Sequence, residues 1–253
     1  MDPNMGKATL QAYTSAVKSD KRIQALEKRI RSGSGSYADI DVVASRAGQH
    51  AGKAIAGTVR QSAVDGMITK DVAAAILEPT MYDDYEYVSE LAELVQQALN
   101  RRAGVGLKAV RPGWNQSRLD GLLEVLEEAE DIDAASVVLV SQIENASMAI
   151  VDAFVQENAD FHYQVGLSPK IVRTAEAQCC EWCADLEGEY DYAEVKGSGN
   201  DVYRRHDNCR CTVEFVPGDG SRQNVHSKRI MYDSEAANRR VETIKRQEQE
   251  GRA

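Results

Sequence analysis

All five cysteines of this 253-residue chain fall in one short segment, as Cys179, Cys180, Cys183, Cys209 and Cys211. That confinement constrains the fold more than any other feature, because thiols grouped this way staple whatever backbone carries them. Cys180-Glu181-Trp182-Cys183 is a C-x-x-C knuckle, a spacing that lets two thiolates reach one metal ion from a tight turn. After residues 184–205, His206-Asp207-Asn208-Cys209-Arg210-Cys211 supplies a second cluster. If Cys209 begins a strand, Cys209 and Cys211 point to the same face, since side chains on a strand repeat with period two. Two facing half-sites predict a tetrahedral zinc site that staples a small β module. Cys180, Cys183, His206, Cys209 and Cys211 compete for four positions. The favoured set is Cys180, Cys183, His206 and Cys209, with Cys211 the main rival of His206 and Cys179 a bystander.

Three other chemistries fit the same residues less well. Disulfides would staple the segment too, but the cysteine count is odd and the N-terminus, Met1-Asp2-Pro3-Asn4, lacks the basic-then-apolar order of an export signal. A thioredoxin-type C-x-x-C belongs at a strand-to-helix junction and would leave the second cluster unexplained. A cysteine nucleophile paired with His206 would not need four further thiols beside it. A closed four-ligand site leaves no position for a catalytic water, which points to a scaffold and away from an enzyme.

Ahead of the cysteines the chain reads as helical. Lys7 to Arg31 lacks Gly and Pro and carries Ile23, Leu26 and Ile30 on one face, so one amphipathic helix is expected there. Ser32-Gly33-Ser34-Gly35-Ser36 then reads as a flexible linker, making residues 1–36 an arm that docks separately. Residues 37–160 are expected to form a helical body. Within it, Asp39 to Val64 carries a stripe of small residues, Ala44, Gly48, Ala51, Gly52 and Ala56, that allows close approach to a neighbouring helix. Further helices are expected over 69–77, 82–101, 117–130 and 134–158, the third with a Leu119, Leu122, Leu123 and Leu126 face and a Ser117/Asp120 cap. The run Val137–Val140 has strand character but continues a helical phase. Phe161–Val165 and Ile171–Thr174 read as short strands, opening a Cys/His zinc-binding β module over 161–220. The fold class expected is α+β.

The net charge of −10 excludes a chain that coats nucleic acid with its whole surface. Charge is uneven, however. Arg101, Arg102, Lys108, Arg111 and Arg118 with Trp114 form a basic loop between acidic stretches, most simply an exposed loop and alternatively a contact for DNA or an acidic partner. The segment 221–253 carries eight bases against five acids and almost no apolar face, and reads as a basic helical or disordered tail. No apolar run approaches the roughly 18 residues of a membrane span, so a cytoplasmic origin without a span is expected.

Arg173-Thr174-Ala175-Glu176, Cys180-Glu181-Trp182-Cys183 to Gly188, and Arg205-His206-Asp207-Asn208-Cys209-Arg210-Cys211-Thr212-Val213 together resemble the signature of Mu F-like minor head proteins, the head-morphogenesis family of tailed bacteriophages. The similarity covers about residues 168–216, with Asp207 standing where the family usually has proline. It implies a low-copy, oligomeric virion protein inside the phage head near the portal, made in the host cytoplasm. Its implied partners are the portal protein, the major capsid protein and packaged DNA touched through the basic segments. No established active site comes with the family. His206, Asn208 and His226 weakly resemble the HNH nuclease pattern, an alternative that needs His206 as a base and so removes it from the ligands.

Overall fold

The computed structural model describes residues 4–177, 179–197, 200–206 and 209–217. Six helices come first: α1 (Met5–Ser19), α2 (Lys21–Arg31), α3 (Tyr37–Ser62), α4 (Lys70–Arg102), α5 (Gln116–Glu127) and α6 (Ile132–Gln164). Then follow β1 (Lys170–Thr174), α7 (Glu181–Asp185), β2 (Gly188–Asp191), α8 (Tyr192–Val195), a 3-10 turn at Asp201–Tyr203 and β3 (Thr212–Val216). The strands form an antiparallel sheet in the order β2–β1–β3, with Ile171 opposite Tyr190 and Phe215. The architecture is α+β, mostly helical with a small sheet, as the sequence predicts.

The two long helices α3 and α6 form the centre. Gly48 and Gly52 of α3 bring its backbone onto α6: a Cβ at Gly48 would lie 2.6 Å from Ser147 Oγ and 2.8 Å from Glu144 Cα, and one at Gly52 would lie 2.8 Å from Val140 Cα. The small-residue stripe therefore does what its spacing predicts. A polar seam flanks the contact, where Ser45 Oγ donates to Glu144 at 2.6 Å and Gln49 Nε2 donates to it at 3.0 Å. Helix α6 is long and apolar enough by composition to cross a membrane. Its Leu139, Ile143, Val151, Phe154 and Val155 are core residues, while Val137 and Val138 on the same helix are exposed.

The arm expected at 1–36 is part of the body. Tyr13, Val17, Ile23, Leu26 and Ile30 belong to the same core as α3, α4 and α6. The single helix expected over 7–31 breaks at Asp20, whose extended backbone ends α1 and whose carboxylate caps α2 by accepting from Arg22 N and Ile23 N at 2.9 and 3.2 Å. The same carboxylate accepts from Arg46 on α3 at 2.7 Å and meets His50 Nε2 at 2.9 Å. Burial alone would raise its pKa, but these bonds win and hold it well below the ordinary carboxylate range. Nor is the Ser/Gly run a loose linker. Gly33, at φ +80°, closes α2 with bonds from Gly33 N to Ile30 O and Ser34 N to Arg29 O, and Ser36 opens α3 in a capping box with Asp39.

Two further expectations fail for related reasons. Helices expected separately over 69–77 and 82–101 are one helix that runs through Pro79. The carbonyl that Pro79 cannot bond, that of Ala75, lies under Gly6 of α1, where a Cβ would come within 2.2 Å of the oxygen. The strand expected at 161–165 is the end of α6, because His162 continues the buried helical face of Phe154, Val155 and Ala159. Helix α5 buries the predicted four leucines, although Asn115 and not Ser117 is its cap. The basic loop lies back on α4: Tyr85 Oη donates to Pro112 O at 2.7 Å, Trp114 packs edge-on against Tyr82 and Tyr85, and Arg111 pairs with Glu86 at 2.8 Å. The described residues form one compact unit, so the sheet is not a separate module from the helical body. The basic tail expected at 221–253 lies outside the described residues.

Two outcomes follow from this packing. Gly48→Ala forces α3 off α6 and should destabilise the protein by about 1–3 kcal/mol. Gly121→Ala, at a helical glycine with open space around it, should be neutral or stabilising, and thermal unfolding followed by circular dichroism compares the two. His162 is fully buried with its ring 4.8 Å from that of Phe215, and neither ring nitrogen has a hydrogen-bond partner among the described residues. Burial lowers its pKa from 6.5 to about 4. The unfolded chain takes up a proton that the folded chain refuses, so stability is full above pH 6.5 and falls by roughly 3 kcal/mol on going down to about pH 4. His162→Leu should remove that loss and raise stability at neutral pH, and a pH series of denaturant midpoints in both proteins measures it.

Candidate metal centre

The knuckle is formed by a helix start. Cys180 sits at the N-cap position of α7 and Cys183 lies within the helix, with Ala184 N bonded to Cys180 O at 3.0 Å. Both sulfurs turn toward one imidazole: Cys180 Sγ is 3.3 Å and Cys183 Sγ 3.1 Å from His206 Nε2. Cys209 N donates to His206 O at 3.1 Å, and Cys209 Sγ lies 3.7 Å from Cys183 Sγ. Strand β3 begins only at Thr212, so Cys209 and Cys211 precede the strand that the sequence reading placed them in. Both are buried beside Cys183, with Cys179 and Ala175 packed against them.

The donors fall in two groups, Cys180/Cys183/His206 and Cys183/Cys209/Cys211, with ligand atoms inside each lying within 4.8 Å of one another. All five residues predicted as ligands are thus brought together, and Cys183 belongs to both groups. Each group could hold a metal ion. The spacings fit a tetrahedral ion: zinc–sulfur bonds of about 2.3 Å put two sulfurs about 3.8 Å apart, and a zinc-bound imidazole nitrogen lies about 3.5 Å from a neighbouring sulfur. A disulfide needs about 2.05 Å, and all five cysteines are free. Burial, then the neighbouring Cys211 and Cys209, push the Cys183 thiol up to about 12. Arg173 pulls the other way, and a metal ion would displace the protons of the thiols it binds.

Two arginines that the sequence reading did not single out as site residues complete the site. Arg173 on β1 is 1% exposed and occupies the inward phase of the strand, the same face as Ile171, Val213 and Phe215. Its guanidinium donates to Val202 O at 2.6 Å and Arg204 O at 3.0 Å, and reaches Cys183 Sγ at 3.6 Å and Cys209 Sγ at 4.0 Å. It also lies over the Trp182 ring, 5.5 Å from the centroid. A charged residue in the buried phase of a strand was the available signal. Arg205, next to His206, has a side chain 5% exposed and binds Asp152 of α6 through two bonds at 2.5 and 2.7 Å, Asp41 of α3 at 3.0 Å, and Cys211 O. Burial first, and then the adjacent Asp152 charge, push the Asp41 carboxyl up to about 8 against the pull of Arg205. This ionic cluster fastens the cysteine-bearing loop to both central helices.

His206, the base that the catalytic alternative needs, has its Nε2 facing two sulfurs. The other members of that alternative, Asn208 and His226, lie outside the described residues. Comparison of the chain with known protein families, curated proteins and solved structures gives no significant match.

Arg205→Met removes one cation from between two buried carboxylates and should destabilise the fold by about 3–5 kcal/mol. The double change Arg205→Met/Asp152→Leu should recover part of that loss, which denaturant titration of the single and double variants measures.

Proposed function

We propose that this chain is a structural minor head protein of a tailed bacteriophage whose Cys/His cluster holds a structural zinc ion. One observation carries the reading. The stretches that resemble the Mu F-like signature, 173–188 and 205–213, are the ones that supply the cluster, its buried Arg173 and the Arg205 anchor. A signature that forms a buried, helix-anchored staple suits an assembly part. The reading assigns no catalytic group, because Cys183, Cys209 and Cys211 are buried and His206 is engaged by sulfur. It places the protein inside the head near the portal, in several copies, with portal and major capsid protein as partners and packaged DNA met through basic segments.

Elemental mass spectrometry on protein purified without chelator should find about one zinc per chain, with five free thiols after denaturation. Cys183→Ser should lose the metal, because Cys183 belongs to both donor groups, whereas Cys179→Ser should keep it. Absence of metal would end the zinc reading. Coexpression with the portal protein of the same phage should give a complex that sediments with the portal ring. Failure to join portal or heads, in protein that does carry zinc, would end the head-protein reading alone.

A further inference from the structure

We propose that Arg173 is the counter-cation of the cysteine cluster, its guanidinium placed against Cys183 and Cys209 to balance the charge they carry when they bind a divalent ion, and so sets how tightly the ion is kept. The proposal rests on the metal reading above and adds to it the residue that balances its charge. The geometry is unusual for this protein. Arg205, a comparably buried cation, has two carboxylates on it, Asp41 and Asp152. Arg173 has none within 4 Å among the described residues; its partners are two carbonyls, two sulfurs and an indole face. The two carbonyls accept from Nη1 and supply no net charge, Nε has no hydrogen-bond partner among the described residues, and a buried cation without compensating charge is strongly unfavourable. Among the described residues, the groups it touches that can become anionic are Sγ of Cys183 and Sγ of Cys209.

The charge sum also discriminates between ligand sets. A divalent ion with three thiolates and one neutral imidazole carries −1, which the guanidinium cancels. Four thiolates carry −2 and leave the buried site with an excess anion. Arg173 therefore favours a set that includes His206 over the four-cysteine set. Of the five donors, it touches the two sulfurs that such a set shares across the knuckle and the closing turn.

The test uses the full chain. In competition with a chromophoric chelator, Arg173→Met should bind zinc about 10–100-fold more weakly than the wild type, the usual effect of losing a partner that touches metal ligands. Arg173→Lys, which restores the charge, should recover most of the affinity. With cobalt(II) in place of zinc, the sulfur-to-metal charge-transfer band should move to lower energy in the Met variant, because the thiolate electrons lose their neighbouring cation. A residue that merely clamps the carbonyls of Val202 and Arg204 would leave that band in place. A wild type that takes up neither metal overturns the metal reading and this proposal with it. A wild type that binds both, beside a Met variant with unchanged affinity and band, or a Lys variant as weak as the Met variant, overturns the role of Arg173 alone. If Arg173→Met does not fold, the same change is made in a Cys183→Ser/Cys209→Ser background and the thermal midpoints are compared. Without thiolates to balance, the arginine should be dispensable there, and an equal loss in both backgrounds overturns the proposal.

Discussion

The contact between α3 and α6 is the constraint on which the rest of the structure depends. Two helices of 26 and 33 residues cannot approach within backbone contact unless one of them lacks side chains along the seam, and Gly48 and Gly52 provide that. Once the pair is set, its other faces define where everything else goes. Helices α1 and α4 cover one side, with Asp84 of α4 accepting from Tyr13 of α1 at 2.9 Å and from Ser147 of α6. The sheet covers another, with Phe215 and Val213 in the common core. Asp41 and Asp152, one on each central helix, come close enough to share Arg205 only because the helices touch.

Buried charge, more than apolar area, decides the junctions between elements. Asp20 joins the α1–α2 break to α3, Asp84 joins α1 to α6, and the Asp41–Arg205–Asp152 group joins the cysteine loop to both central helices. The three respond differently to their surroundings. Asp20 receives hydrogen bonds from cations and amides and is held ionised, whereas burial pushes Asp84 up to about 6 because its partners are hydroxyls. A buried carboxylate facing only hydroxyls stabilises less, but it specifies which helix faces meet, since any other docking would leave it without partners.

What the sequence made legible was whatever depends on local pattern. The glycine stripe of α3, the four leucines of α5, the helical phase through Val137–Val140 and the pairing of two cysteine clusters all follow from spacing along the chain. What it hid depends on partners far away in sequence. Asp20 is an ordinary helix residue until Arg46 and His50 are seen beside it, and Pro79 breaks α4 only if nothing covers the freed Ala75 carbonyl. Ser32–Ser36 has linker composition, yet the same glycine and serines close one helix and cap the next. The five candidate ligands were readable and the strand phase of Arg173 was a usable signal, but the two overlapping groups and the partners of Arg205 on α3 and α6 were not, because they depend on elements far away in sequence.

Arg205 and His206 are consecutive, and that adjacency couples the cluster to the helical body more tightly than a tethered zinc knuckle would allow. A shift of His206 toward or away from Cys180 and Cys183 must move Arg205, whose guanidinium is fixed by bonds to α3, to α6 and to the carbonyl of Cys211. The cluster therefore cannot rearrange without disturbing the central helix pair, and the helix pair cannot loosen without releasing two of the donors. Binding energy at such a site becomes folding energy for the whole unit. The donors Cys180 and His206 remain the exposed edge of the cluster while Cys183, Cys209 and Cys211 form its buried floor.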